Sequence, residues 1–179
     1  HIVEILDGGY HGEPVRRPNA GDFDGNGTTS LIWMASRFHL DIVRYTPGSG
    51  VHDHTSTPVF VPPGSEHILN HAAGHFDQEP GMDILVSTMD GPNSRLYLIS
   101  GGTFNTTPLS PWVSGIHETI VVADLDGSGT DEVYIGMRDG RIYGYDDVNG
   151  WRLVDEHPDV RWYDSTVATW SDKPEEVYI

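Results

Sequence analysis

Asp124, Asp126, Ser128 and Glu132 stand at even spacing in ADLDGSGTDEVYIG (residues 123–136), with Gly127 and Gly129 between them. A hard cation such as calcium takes roughly six to eight oxygen ligands, so a loop that holds one must curl sharply and offer an oxygen at every second residue. Glycine serves that curl because it enters backbone conformations that a Cβ forbids. With the Thr130 carbonyl as a further donor, this loop has the make-up of a calcium site. A glycine-rich turn whose aspartates bond its own amides would carry the same residues, so both outcomes stay open.

Two other stretches align with it. GDFDGNGTTSLIW (residues 21–33) places Asp22, Asp24, Asn26 and Thr28 on Asp124, Asp126, Ser128 and Thr130, but Ser30 replaces the carboxylate of Glu132. GHFDQEPGMDILV (residues 74–86) keeps Asp77, Glu79 and Asp83 and has His75 in the first position, an imidazole that a hard cation disfavours. A worn copy at residues 169–179 retains only Asp172 and Glu176. The markers Asp24, Asp77, Asp126 and Asp172 lie 53, 49 and 46 residues apart. Strand-rich repeats of about 40 to 50 residues indicate a propeller or a related array.

The elements that must position these loops are strands. Thr119–Val122 before the clearest loop and Glu132–Ile135 after it are mostly β-branched or aromatic, which disfavours the helices of an EF-hand. No stretch sustains a helical apolar period, so the chain is predicted to be all-β: a β-propeller of four-stranded antiparallel blades, about 3.5 to 4 of them, in one domain over 1–179. The repeats run 11–63, 64–113, 114–158 and 159–179, after an opening strand at 1–6. Predicted strands are 30–35, 40–45 and 57–61; then 68–73, 83–87, 95–99 and 107–113; then 119–123, 132–137, 141–145 and 151–155; and finally 166–170 and 175–179. The ring closes if 1–6 docks beside the last two strands. Otherwise the chain is part of a larger ring, or a half ring that pairs with a second copy as a homodimer, since free sheet edges invite pairing.

The D-x-D-G-x-G loops between strands resemble the FG-GAP/VCBS repeats of integrin-type β-propellers, over nearly the whole chain. More narrowly, residues 114–140 (SGIHETIVVADLDGSGTDEVYIGMRDG) and 67–76 (HILNHAAGHF) are similar to blade segments of the propeller in fungal aldos-2-ulose dehydratases. The first resemblance implies structural calcium in the loops. The second implies a sugar as ligand or substrate.

Composition narrows the partners. With 27 acidic against 10 basic residues the formal charge is −17, which argues against nucleic acid and anionic membranes and favours cations or neutral polar ligands. Cysteine is absent, so there is no disulfide and no thiolate chemistry. No apolar run is long enough to span a bilayer as a helix. Two sequons, at Asn26 and Asn105, fit a secreted protein, although a glycan on Asn26 would conflict with its role as a ligand.

Ten histidines are many for this length. His11, His67 and His117 each precede an acidic loop, where the innermost strand of a blade would start, and Glu66 and Glu118 accompany two of them. Gathered round an axis, they would hold zinc or another divalent transition metal, or serve as acid and base in a sugar lyase or dehydratase. The plainer reading is partly buried rings bonded to neighbouring strands. Among the aromatics, Trp112 and Trp162 are the surface candidates for stacking on a sugar. The leading functional expectation is a calcium-stabilised propeller that binds carbohydrate or another polar ligand. The alternatives are the lyase and an interaction module that associates with the rest of a longer propeller.

Overall fold

A computed structural model describes residues 18–45, 54–77, 79–146 and 149–159, together with the backbone of two short strands near the C-terminus. The opening segment 1–6, His11 and Trp162 lie outside the described residues. Among those described, all regular structure is β, and no helix is long and apolar enough to cross a membrane.

The first sheet is a meander of β1 (Asn19–Gly21), β2 (Ser30–Ser36), β3 (His39–Tyr45) and β4 (His54–Phe60). Pro58 sits in β4, the edge strand, where a missing N–H is tolerated. The second sheet orders β5 (His67–Gly74), β6 (Asp83–Asp90), β7 (Asn93–Ile99) and β8 (Thr106–Pro108), and β9 (Val113–Ser114) also pairs with β7. The third is β10 (His117–Ala123), β11 (Glu132–Met137), β12 (Arg141–Asp146) and β13 (Gly150–Glu156). A hairpin of β14 (Thr166–Ala168) and β15 (Glu176–Tyr178) follows, with β14 against β10.

These bounds match the predicted strands closely except in two places: β1 is not among them, and one predicted strand is divided. The single strand expected over 107–113 is two short ones, because Pro108 and Pro111 have no N–H to give a ladder. Between them the Ser110 hydroxyl accepts the Leu96 amide at 2.9 Å, and the Leu96 carbonyl accepts the Leu109 amide at 2.8 Å.

Core formation stacks the sheets in chain order. Side chains of a strand point alternately to its two faces, and in β6 six successive residues, Asp83 to Thr88, are buried. Ile84 and Val86, with Tyr97 and Ile99 of β7, pack on Ile32, Leu40, Ile42 and Phe60 of the first sheet. Leu85 and Leu96 face the other way, on Val133, Ile135 and Met137 of the third. The middle sheet is therefore covered on both faces, which explains its continuous apolar run where an antiparallel sheet with one wet face would alternate.

Candidate functional site

The three acidic loops close in the same way. Gly21 pairs with Ser30, Gly74 with Asp83 and Ala123 with Glu132, so each loop spans eight residues between the first two strands of its sheet. Each loop then differs in what answers its negative charge.

In the third loop, the Asp124 carboxylate accepts the Ser128 amide at 3.0 Å and the Gly129 amide at 2.9 Å, and Asp126 accepts the Ser128 amide at 2.9 Å. Gly127 and Gly129 take φ of 75° and 89°, which residues with a Cβ rarely adopt. Glu132, at the start of β11, accepts the Leu125 amide at 2.7 Å. One oxygen from each of Asp124, Asp126 and Glu132 falls within 4.8 Å of the others. Two oxygens on opposite sides of a calcium ion lie about 4.8 Å apart, so one ion would reach all three. Burial raises the Glu132 carboxyl above its ordinary range; the Leu125 amide opposes the rise, and the charges of Asp126, Asp124 and Asp146 add to it. This is the only converging group of metal-ligating side chains among the described residues. Ser128 bonds the Thr130 hydroxyl at 3.0 Å and the Thr130 carbonyl at 3.3 Å, so the expected loop residues are all gathered here.

The first loop repeats the backbone pattern, with Asp22 accepting the Asn26 amide at 3.0 Å and the Gly27 amide at 2.8 Å, while Asn26 accepts the Thr28 amide at 2.7 Å. Its second aspartate, however, has a partner from the protein: Arg44 Nε donates to Asp24 Oδ2 at 2.9 Å. Register explains the contrast. Leu31 pairs with Val43, Ile84 with Ile99 and Val133 with Tyr145, so the residues that follow on the third strands, Arg44, Ser100 and Asp146, are equivalent. Loop one meets a guanidinium there, and loop three meets Asp146, a carboxylate already paired with Arg152 and bonded by Asn149.

In the second loop Asp77 accepts the Glu79 amide at 2.8 Å. Asp83, which is 1% exposed, accepts the Phe76 amide at 2.9 Å and the Gly101 amide at 2.7 Å. Both its oxygens thus tie the loop to the turn after β7. Asp24, Asp77 and Glu79 also line a common cavity of about 320 Å³ between the first two loops.

Two of the described histidines, His71 and His117, are buried. His117 is 2% exposed, its Nδ1 lies 2.8 Å from Ser87 Oγ of the second sheet, and its ring is tilted against Trp151. Burial lowers its pKa to about 4, leaving a neutral imidazole at ordinary pH. His67 is half-buried at the start of β5. His71, which carried no expectation, is 5% exposed, neither ring nitrogen makes a hydrogen bond of ordinary geometry, and burial lowers it to about 4 although the nearby Ile32 backbone favours the protonated ring.

Sequence reasoning saw Glu66 only as a companion of His67. In the structure Glu66 is buried and accepts from Thr88 Oγ1 at 2.7 Å, Arg95 Nη2 at 2.5 Å and the Tyr97 hydroxyl at 3.0 Å. The Arg95 guanidinium lies between the rings of Tyr97 and Trp112, 4.6 and 4.5 Å from their centroids. Trp112 is 42% exposed, and Arg95 covers one of its faces. No local spacing signals such a group, because its members come from two strands and two connecting segments.

No family model matches this chain, and neither does any curated protein.

Proposed function

We propose that the chain forms a calcium-stabilised β-propeller, complete or completed by further blades, that binds carbohydrate or another polar ligand. The observation that carries this reading is the convergence of Asp124, Asp126 and Glu132 in one loop, where the matching loop of the first sheet has Arg44 on Asp24. Among the described residues these three carboxylates accept only backbone amides, which leaves negative charge for a cation to cancel. Sheets stacked in chain order, each opening with an eight-residue loop, support the propeller. A half-exposed Trp112 on a guanidinium supports a ligand-binding surface, and millimolar calcium outside cells suits such loops in a secreted protein.

The test is a pair of thermal melts of the purified chain, with calcium and with a chelator, beside a glycan array. Calcium should raise the melting temperature, and the array should show a consistent set of bound sugars. Identical melts would remove the calcium part; a blank array would remove the carbohydrate part.

A further inference from the structure

The acidic loops lie at one end of the first strands, and a second feature lies at the other. A cavity of about 520 Å³ opens between the second and third sheets, within the roughly 300–1,000 Å³ of small-molecule sites. Pro92, from the β6–β7 turn, Ile116 and Pro158 give it apolar walls, and Arg138 and Asp139, from the β11–β12 hairpin, give it charged groups.

Its frame is tied across the sheet boundary. The Gly115 amide donates to the Pro92 carbonyl at 2.8 Å, Ser94 Oγ donates to the Gly115 carbonyl at 2.8 Å, and the Arg138 amide donates to the Ile116 carbonyl at 2.9 Å. Arg141 reaches back to the Ser114 carbonyl and holds Asp139 through Nε at 3.0 Å and Nη2 at 2.6 Å. A frame held in this way costs little further ordering when a ligand enters.

Charge selects the ligand class. Arg138 pairs with Glu118 through Nε alone, so its two Nη groups have no partner among the described residues. Among the described residues Asp139 bonds only to Arg141, and it is about half exposed. The four charges sum to zero in a chain of net −17, so an anion meets no surplus of positive charge here. What the cavity offers is planar donors from a guanidinium, planar acceptors from a carboxylate, and apolar walls beside them. Vicinal hydroxyls and the C–H face of a sugar ring match that set.

We infer that this cavity, lined by Ile116, Arg138 and Asp139, is the carbohydrate site, and that it takes a neutral hexose unit. The inference rests on the carbohydrate-binding reading above and differs from it in placing the ligand away from Trp112.

The test is amide NMR of the full chain in calcium, titrated with the methyl glycosides of glucose, mannose and galactose. Saturable shifts should centre on Gly115, Ile116, Arg138 and Asp139. Arg138→Ala should weaken binding about tenfold or more, as loss of charge-assisted hydrogen bonds does. Asp139→Asn, which keeps the shape of the side chain, should weaken it as well, and each variant's spectrum reports its fold independently. Shifts centred on Trp112, or Arg138→Ala and Asp139→Asn both binding as the parent does, would overturn the placement and leave the reading intact. No shift with any of the three glycosides would overturn this inference, and a blank glycan array as well would take the broader reading with it.

Discussion

Asp131 and His75 hold each other across two loops: the Asp131 carboxylate accepts the His75 amide at 2.6 Å, and the His75 carbonyl accepts the Asp131 amide at 2.7 Å. The pair joins the second acidic loop to the third where β5 meets β10. A Cβ on Gly74 would fall 2.5 Å from Val122 and 2.6 Å from the Asp131 carboxylate, so the chain approaches there as only glycine allows. Asp131→Ala should therefore cost about 2 kcal/mol, the usual worth of a hydrogen bond to a charged group. Urea denaturation checks this. A loss below about 0.5 kcal/mol would mean that the loops are held together by apolar packing alone.

The calcium loop gives the next expectation. At a free ion concentration of about one hundred times Kd, binding stabilises the folded state by about 2.7 kcal/mol. Asp126→Ala should lose most of that gain, because it removes one of three converging carboxylates, while leaving stability in chelator nearly unchanged, since Asp126 accepts only the Ser128 amide. The comparison is of melting temperatures with and without calcium. Equal calcium gains in parent and variant would put the ion elsewhere.

Arg44 makes the opposite case. Its guanidinium bonds Asp24 Oδ2, and Asp24 Oδ1 is buried without a partner. Arg44→Gln should lower stability in chelator by about 1 kcal/mol, a modest figure because the arginine is 35% exposed and solvent screens the pair. Added calcium should stabilise this variant more than it stabilises the parent. Isothermal titration makes the same point by counting ions: a second binding event in Arg44→Gln supports the internal counter-ion, and an unchanged count rejects it.

The loops were legible in the sequence because Asp and Gly act over a few residues, and the strand pairs that close them fall where the aligned repeats require. The identity of each loop's counter-charge was not. Arg44 and Asp146 gain their meaning from third-strand register, and Asp131 from a partner 56 residues away. The histidines show the same limit at finer scale. A register shift between His117 and Thr119, matched by one between Ile68 and Asn70, makes His117 pair with Met137 as Ile68 pairs with Thr88. His117 therefore takes the place of buried Ile68, as counting seven residues back from each loop also gives, and His67 stands one residue earlier on its strand.

Burial of two histidines gives the last expectation its sign. His71 and His117 are buried and neutral, with pKa values lowered to about 4 from an ordinary 6.5. Between those values the unfolded chain takes up a proton at each position and the folded chain does not, so stability present above pH 6.5 falls as the pH drops toward 4. At about 1.4 kcal/mol per unit, each ring accounts for roughly 3 kcal/mol across that window. His71→Leu separates this effect from the titration of carboxylates. Neither nitrogen of His71 makes a hydrogen bond of ordinary geometry, so an apolar side chain of similar size should cost less than about 1.5 kcal/mol at neutral pH. Urea denaturation from about pH 7 to about pH 4.5 should then show a shallower decline in His71→Leu than in the parent, by close to one proton. Parallel declines would show that His71 takes up its proton in the folded chain as readily as in the unfolded one, and that the boundary between the first two sheets opens to water.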